Sequence, residues 1–196
     1  MKTYKKTITT EKPLLEINYE QDAESPREWS NVGYFFTTER GYQSPDGKNH
    51  ELYGIMIEAG YTSNNSKEHA ENIKKLGKKR GYDVLEVYPI HRYEHSGVSY
   101  RVGVGGGFDD SNCGFYIITK ETAKEVGVKE NDFLKAIESE LETYNKWANG
   151  EVYGFTLFDK NGDVADSCWG FYNIQDIREY LPKGWKNEDL EDYFKN

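Results

Sequence analysis

The chain has 196 residues and a formal net charge of -9, 34 acidic against 25 basic side chains, which excludes a general duplex-binding surface, because such affinity comes from cations displacing condensed counterions. Aromatic residues reach 15%, so large rings supply the core that the sparse aliphatics do not, and the length suits one domain over residues 1–196. Two cysteines, Cys113 and Cys168, stand in apolar contexts without a C-x-x-C pair, which predicts free thiols in a reducing compartment; no apolar run is long enough to span a bilayer, and the basic opening stretch lacks an apolar signal region.

In chain order, residues 5–10 and 14–19 alternate apolar or β-branched with polar residues, the period of two opening strands. Ser25-Pro26 predicts a turn anchored by Trp29, and VGYFFTTE after it predicts a strand. Residues 41–52 carry Pro45-Asp46-Gly47 and read as an exposed loop containing His50. Periodicity leaves 52–59 open between a strand and a buried helical turn. Residues 63–66 offer N-caps, Glu68 and Glu71 stand in the early turns and Gly81 can close the end, so a helix is predicted there. Its basic end, 74–80, suits a helix C-terminus and is also the one concentrated positive patch.

Residues 83–91 and 98–104 predict a hairpin, with Pro89 confining the first strand to an edge or a bulge. CGFYIIT from Cys113 is the most hydrophobic stretch and predicts a central strand. Short and long helices are expected over 121–126 and 131–149, the second capped by Asn131, with Phe133, Leu134, Ile137, Leu141, Tyr144 and Trp147 as its core stripe and Glu138, Glu142 and Asn145 on an opposite, solvated face. Asn161-Gly162 predicts a hairpin between 151–159 and 163–171. The Asp159, Asn161, Asp163 alternation lacks the glycine and glutamate of a calcium loop. Short acidic helices capped by Asn173 and Asn187 follow. The fold class expected is α+β, mainly antiparallel sheet with helices packed on one side.

The chemistry-bearing residues concentrate between 88 and 120. His91 and His95, four apart, would share one strand face; Arg92 and Arg101 suit an anion; Asp109 and Asp110 suit a metal or proton transfer. Gly105, Gly106 and Gly107 suggest a phosphate cradle but lack the residues of a P-loop or a dinucleotide fingerprint. Ser96 sits in a plain His-Ser-Gly turn, and Cys113 reads as core.

SPREWSNVG, YPIHRYEHSGV, DDSNCGFYIITKE, ELETYNKWANGEVYGF and SCWGFY together resemble an uncharacterised family of small proteins carried by tailed bacteriophages and prophages. Where relatives have a Pro-Trp-Asp-Ser-like sequence, this chain has Phe108, Asp109, Asp110 and Ser111. The resemblance implies a phage-encoded protein acting in the bacterial host cytoplasm and transfers no catalytic residue. The function expected is therefore a binding protein that antagonises host defence, of anti-CRISPR or anti-restriction type, through a partner surface at Glu138 and Glu142. A variant is a sponge for a signalling nucleotide, held by Arg92, His95, Ser96, Arg101 and Trp169. The alternative is a metal-dependent nuclease or hydrolase using His91, His95, Asp109 and Asp110. The preferred reading requires no cofactor and no metal, and its partner is a host protein or the nucleotide.

Overall fold

The computed structural model describes residues 14–194 except 40, 42 and 186; the first expected strand, 5–10, lies outside them. In chain order the strands are β1 (Leu14–Tyr19), β2 (Tyr34–Thr37), β3 (Val84–Glu94), β4 (Val98–Val102), β5 (Asp110–Thr119), β6 (Tyr153–Phe158) and β7 (Val164–Phe171). The helices are α1 (Glu51–Gly60), α2 (Ser66–Lys79), α3 (Lys120–Val126) and α4 (Phe133–Ala148). The class is α+β with two antiparallel sheets, and the chain divides into two compact units, one of Glu24–Asn149 and one combining Met1–Ala23 with Gly150–Asn196. No helix among the described residues is long and apolar enough to cross a membrane.

The first unit is a four-stranded sheet in the order β2-β5-β3-β4. Helices cover both of its faces, beyond the one-sided packing expected, because the FYII run of β5 is apolar on each side. Phe115 and Ile117 join Phe36 and Val87 beneath Leu52, Ile55 and Met56 of α1 and Ile73 of α2. Tyr116 and Ile118 join Phe35, Ile90 and Tyr100 beneath Phe133, Ile137, Leu141 and Tyr144 of α4. Each such side chain contributes about 1.5–3 kcal/mol of burial. Residues 52–59, open in sequence, are helical because their apolar positions Leu52, Ile55, Met56 and Ala59 all meet this sheet. β3 is an internal strand despite Pro89; the pairing slips by one residue between Ile90 and His91, directly after the proline, leaving Cys113 of β5 as the bulged residue.

Arg27 explains why the chain can hold this unit together with so few aliphatics. Its side chain is 4% exposed. Nε and Nη2 grip both oxygens of Asp46 (2.8 and 2.7 Å), Nη1 donates to Glu140 (3.1 Å) and Asn31 (3.0 Å), and Nη2 also donates to the Gly33 carbonyl (2.7 Å). Asp46 in turn accepts from Phe35 N, Glu140 from Val32 N, and the Tyr116 hydroxyl donates to Glu140. The anchor of the SPREW turn is thus the arginine; Trp29, expected to anchor it, is half exposed. The 41–52 loop is likewise not wholly exposed, since Ser44 is buried against Thr37 N and Asp46 serves Arg27.

His50 belongs to that packing as well. Its Nδ1 accepts from Leu52 N (3.2 Å) and caps α1, with the ring among Tyr34, Phe36 and Tyr82. Burial lowers its pKa, against the raising influence of Asp46 and Glu51. The folded protein therefore favours neutral imidazole, and the cap is at full strength above about pH 6.5 and is lost as pH falls through the lower folded value. Between pH 7 and 5 the unfolding free energy is expected to drop by under about 1 kcal/mol, in addition to the background of other groups. In His50→Asn, which caps without titrating, urea unfolding at the two pH values should show that component gone.

The second unit is a three-stranded sheet, β1-β6-β7, whose inner face carries Leu15, Ile17, Phe155, Leu157 and Phe171 against Ile177, Leu181, Trp185 and Leu190. Asn161-Gly162 makes the expected hairpin, with Gly162 at φ 88°. Asp159 accepts from Asn161 N (2.8 Å) and Asp163 N (3.0 Å), and these amides hold its carboxyl below the usual range. The carboxylate of the calcium-like alternation is thus spent on the turn. The two terminal acidic helices are 3-10 turns, Ile174–Glu179 and Leu190–Tyr193, and the second is capped by Asp189 in place of Asn187. α4 also starts later than expected, after a 3-10 turn at Glu130–Asp132, so Asn131 is not its cap.

Candidate functional site

The central cluster resolves into two faces of one sheet tip. On one side His91 Nδ1 lies 3.0 Å from Asp110 Oδ1. The second oxygen of Asp110 accepts from Gly107 N (3.0 Å), and Gly105 N donates to Asn112 Oδ1 (3.0 Å). The Gly107 amide first, with His91 and the Gly106 amide adding, holds the Asp110 carboxyl below its ordinary range against desolvation. The glycine run therefore cradles an anion from its own chain, a carboxylate one turn downstream, which is why it needs none of the P-loop residues.

On the other side Arg92 is buried, its Nη1 3.4 Å from Glu39 and its Nη2 bonded to Glu94. Ser111 donates to the same Glu39 oxygen (2.7 Å). Arg92 and Arg101 do not converge on an anion as expected: successive residues of a strand point to opposite faces, and Arg101 pairs across from His91 while Arg92 pairs across from Tyr100. Arg101 lies over the Tyr93 ring at 5.3 Å, with Nε on Ser99.

His91 and His95 do not share a strand face, since β3 ends at Glu94 and His95 enters the turn with Ser96. His95 is 74% exposed and 3.9 Å from Asp109. Among the described residues no three His, Cys, Asp or Glu side chains converge into a group able to hold a metal ion. Cys113 is buried on the Ile90 carbonyl, and burial pushes its thiol up to about 12, far from a thiolate nucleophile. Trp169 belongs to the second unit, on β7.

Glu138 and Glu142 are exposed on α4, Glu142 pairing with Lys146 at 3.1 Å. Asn145, expected on that solvated face, turns to the sheet instead. Its amide accepts from Tyr100 N (2.8 Å) and donates to Tyr100 O (3.0 Å), and Asn149 does the same for Val98 (2.8 and 2.8 Å). Four helical residues rise about 6 Å and two strand residues about 6.7 Å, so asparagines at i and i+4 can serve alternate residues of an edge strand. Spacing of the two asparagines was the available signal; which strand they meet was not.

Several segments that suggest a family resemblance in sequence contact one another. SPREWSN joins ELETY through Arg27 and Glu140, and HSGV joins YNKWAN through Val98 and Asn149. EVYGF receives SCWGF at Gly154, where a Cβ would lie 2.0 Å from the Trp169 indole. Comparison with protein-family models, curated proteins and solved structures finds no match for the chain.

Proposed function

We propose that this chain is a phage-encoded binding protein of the bacterial cytoplasm that antagonises a host defence system by occupying a basic surface of its target. One observation carries the reading: of the side chains that would do chemistry at the sheet tip, His91 and Asp110 are engaged with the glycine loop and Arg92 lies between Glu39 and Glu94, leaving His95 and Asp109 exposed, while the carboxylates of Glu138 and Glu142 face solvent. The net charge of -9 favours encounter with a basic partner surface over long range. The resemblance to phage proteins supplies the setting.

Expression of the chain in bacteria carrying a restriction or CRISPR system is expected to raise the plaquing efficiency of a targeted phage. Glu138→Lys/Glu142→Lys should remove about tenfold or more of that gain, as charge reversal at an interface slows association. His95→Ala should leave it unchanged. No gain in any defended strain, or a gain that depends on His95 and not on the α4 glutamates, would refute the reading.

A further inference from the structure

The second unit has an edge that none of its described residues covers. β7 is outermost in β1-β6-β7, and seven of its eight residues, all but Phe171, are exposed or half exposed. The opposite edge differs: β1 is bridged at Ile17 by Phe194. The N–H of Ser167 bonds Asp166 Oδ1 (2.8 Å) and so points away from β6, which by alternation turns the backbone of Trp169 outward too, while Ala165 is the extra residue of a bulge opposite Leu157 and Phe158. At the end of this edge Gly170, at φ 90°, is the extra residue of a bulge, and beside it opens a cavity of about 370 Å³ lined in part by Trp169, Tyr172, Asp176, Glu179 and Tyr180.

The chemistry of this edge is one-signed. Asp166 stands on the strand and Asp163 in the turn just before it, and Asp176 and Glu179 add two exposed carboxylates at the cavity. Arg178 between them sends its guanidinium to the Trp185 and Glu188 carbonyls and to Gln175. Tyr180, 59% exposed, and Trp169, 45% exposed, flank the acids with aromatic surface. Carboxylates beside aromatic rings suit an ammonium or guanidinium. A second copy of this chain would set Asp163 and Asp166 against carboxylates of the same edge, a like-charge pairing that opposes association.

We propose that the open edge of β7 docks an extended, basic segment of a partner protein, which adds as a fourth strand beside Ser167 and Trp169 and places a lysine or arginine in the cavity at Asp176, Glu179 and Tyr180. Main-chain bonds to the edge supply affinity and the acidic cavity supplies selectivity, the two components of strand addition. The inference rests on the binding-protein reading only in taking a protein as the partner.

The test uses the full chain and an eight-residue peptide alternating Lys or Arg with Val or Thr, followed by calorimetry and backbone amide shifts. A version with Glu for each base is the control. The basic peptide is expected to bind, to shift amides over 164–172, and to lose about tenfold or more in affinity with Asp176→Asn/Glu179→Gln, exposed changes that leave the fold intact. Ser167→Pro, which removes the outward N–H that Asp166 Oδ1 holds in the free chain and an added strand would take over, should weaken it comparably. Equal affinity in the doubly neutralised variant, shifts confined to α4, equal binding of the acidic control, or a concentration-dependent dimer abolished by Ser167→Pro would overturn the proposal. No binding of the basic peptide by a chain that still raises plaquing removes the docking edge alone; peptide binding without a plaquing effect removes the defence reading alone.

Discussion

Replacing Arg27 with alanine is expected to lower the unfolding free energy by about 3–5 kcal/mol, a large share of the ~5–15 kcal/mol typical of a folded domain. The loss is not that of one contact. Asp46 and Glu140 both face this guanidinium with side chains only 11% and 22% exposed, and without it two carboxylates stand together in a poorly solvated place. Lysine should recover little, since a point charge cannot reproduce a fork that meets Asp46 through Nε and Nη2, Gly33 through Nη2 as well, and Glu140 and Asn31 through Nη1. The triple change Arg27→Met/Asp46→Asn/Glu140→Gln should recover most of the loss, because it removes the stranded charges along with the cation. Urea unfolding of the four proteins checks this, and an Arg27→Ala loss under about 1 kcal/mol would show the hub to be incidental.

Asn145→Ala is expected to cost about 2–3 kcal/mol, and Asn145→Ala/Asn149→Ala to cost more and to self-associate. Tyr100 is 6% exposed, so its N–H and C=O lose partners that water replaces poorly, at about 1–3 kcal/mol for each buried group left unmade. Val98 is half exposed, and water takes over there at smaller cost. The second consequence is topological. β4 is the outer strand of β2-β5-β3-β4, and the two asparagines occupy backbone positions that would otherwise pair with another chain. Urea unfolding gives the first effect and sedimentation velocity at rising concentration the second; a double variant that stays monomeric would show that something else guards the edge.

Several elements were legible from residues alone because their signals are local. The Asn161-Gly162 turn, a cap of α2 within residues 63–66, the close of that helix at Gly81 and the core stripe of α4, apart from Leu134, which is 44% exposed, each depend on a few neighbouring side chains and on backbone preferences. The apolar FYII run announced a central strand, while helical cover of both its faces was not anticipated, since an apolar run does not say which elements will pack on it.

The candidate site was legible only as an inventory. Sequence placed two histidines, two arginines and two aspartates within about one hairpin's reach, but whether they converge depends on where β3 stops and on which face each residue takes. The end of β3 at Glu94 released His95 into a turn, and the pleat put Arg92 and Arg101 on opposite faces. Arg27 escaped notice for the opposite reason. Its partners Asp46, Tyr116 and Glu140 lie 19, 89 and 113 residues away, and no period or spacing relates them.

Sequence by itself determined the α+β class, the net acidity, and those turns and caps whose chemistry is complete within a few residues. Only the tertiary structure decided which charges are spent inside and which face solvent, since desolvation and pairing depend on neighbours brought together across the whole chain. It buried Arg27 and Arg92 among carboxylates, gave Asp110 to its own glycine loop, turned Asn145 from solvent to the edge of β4, and left the acids of α4 and β7 outward.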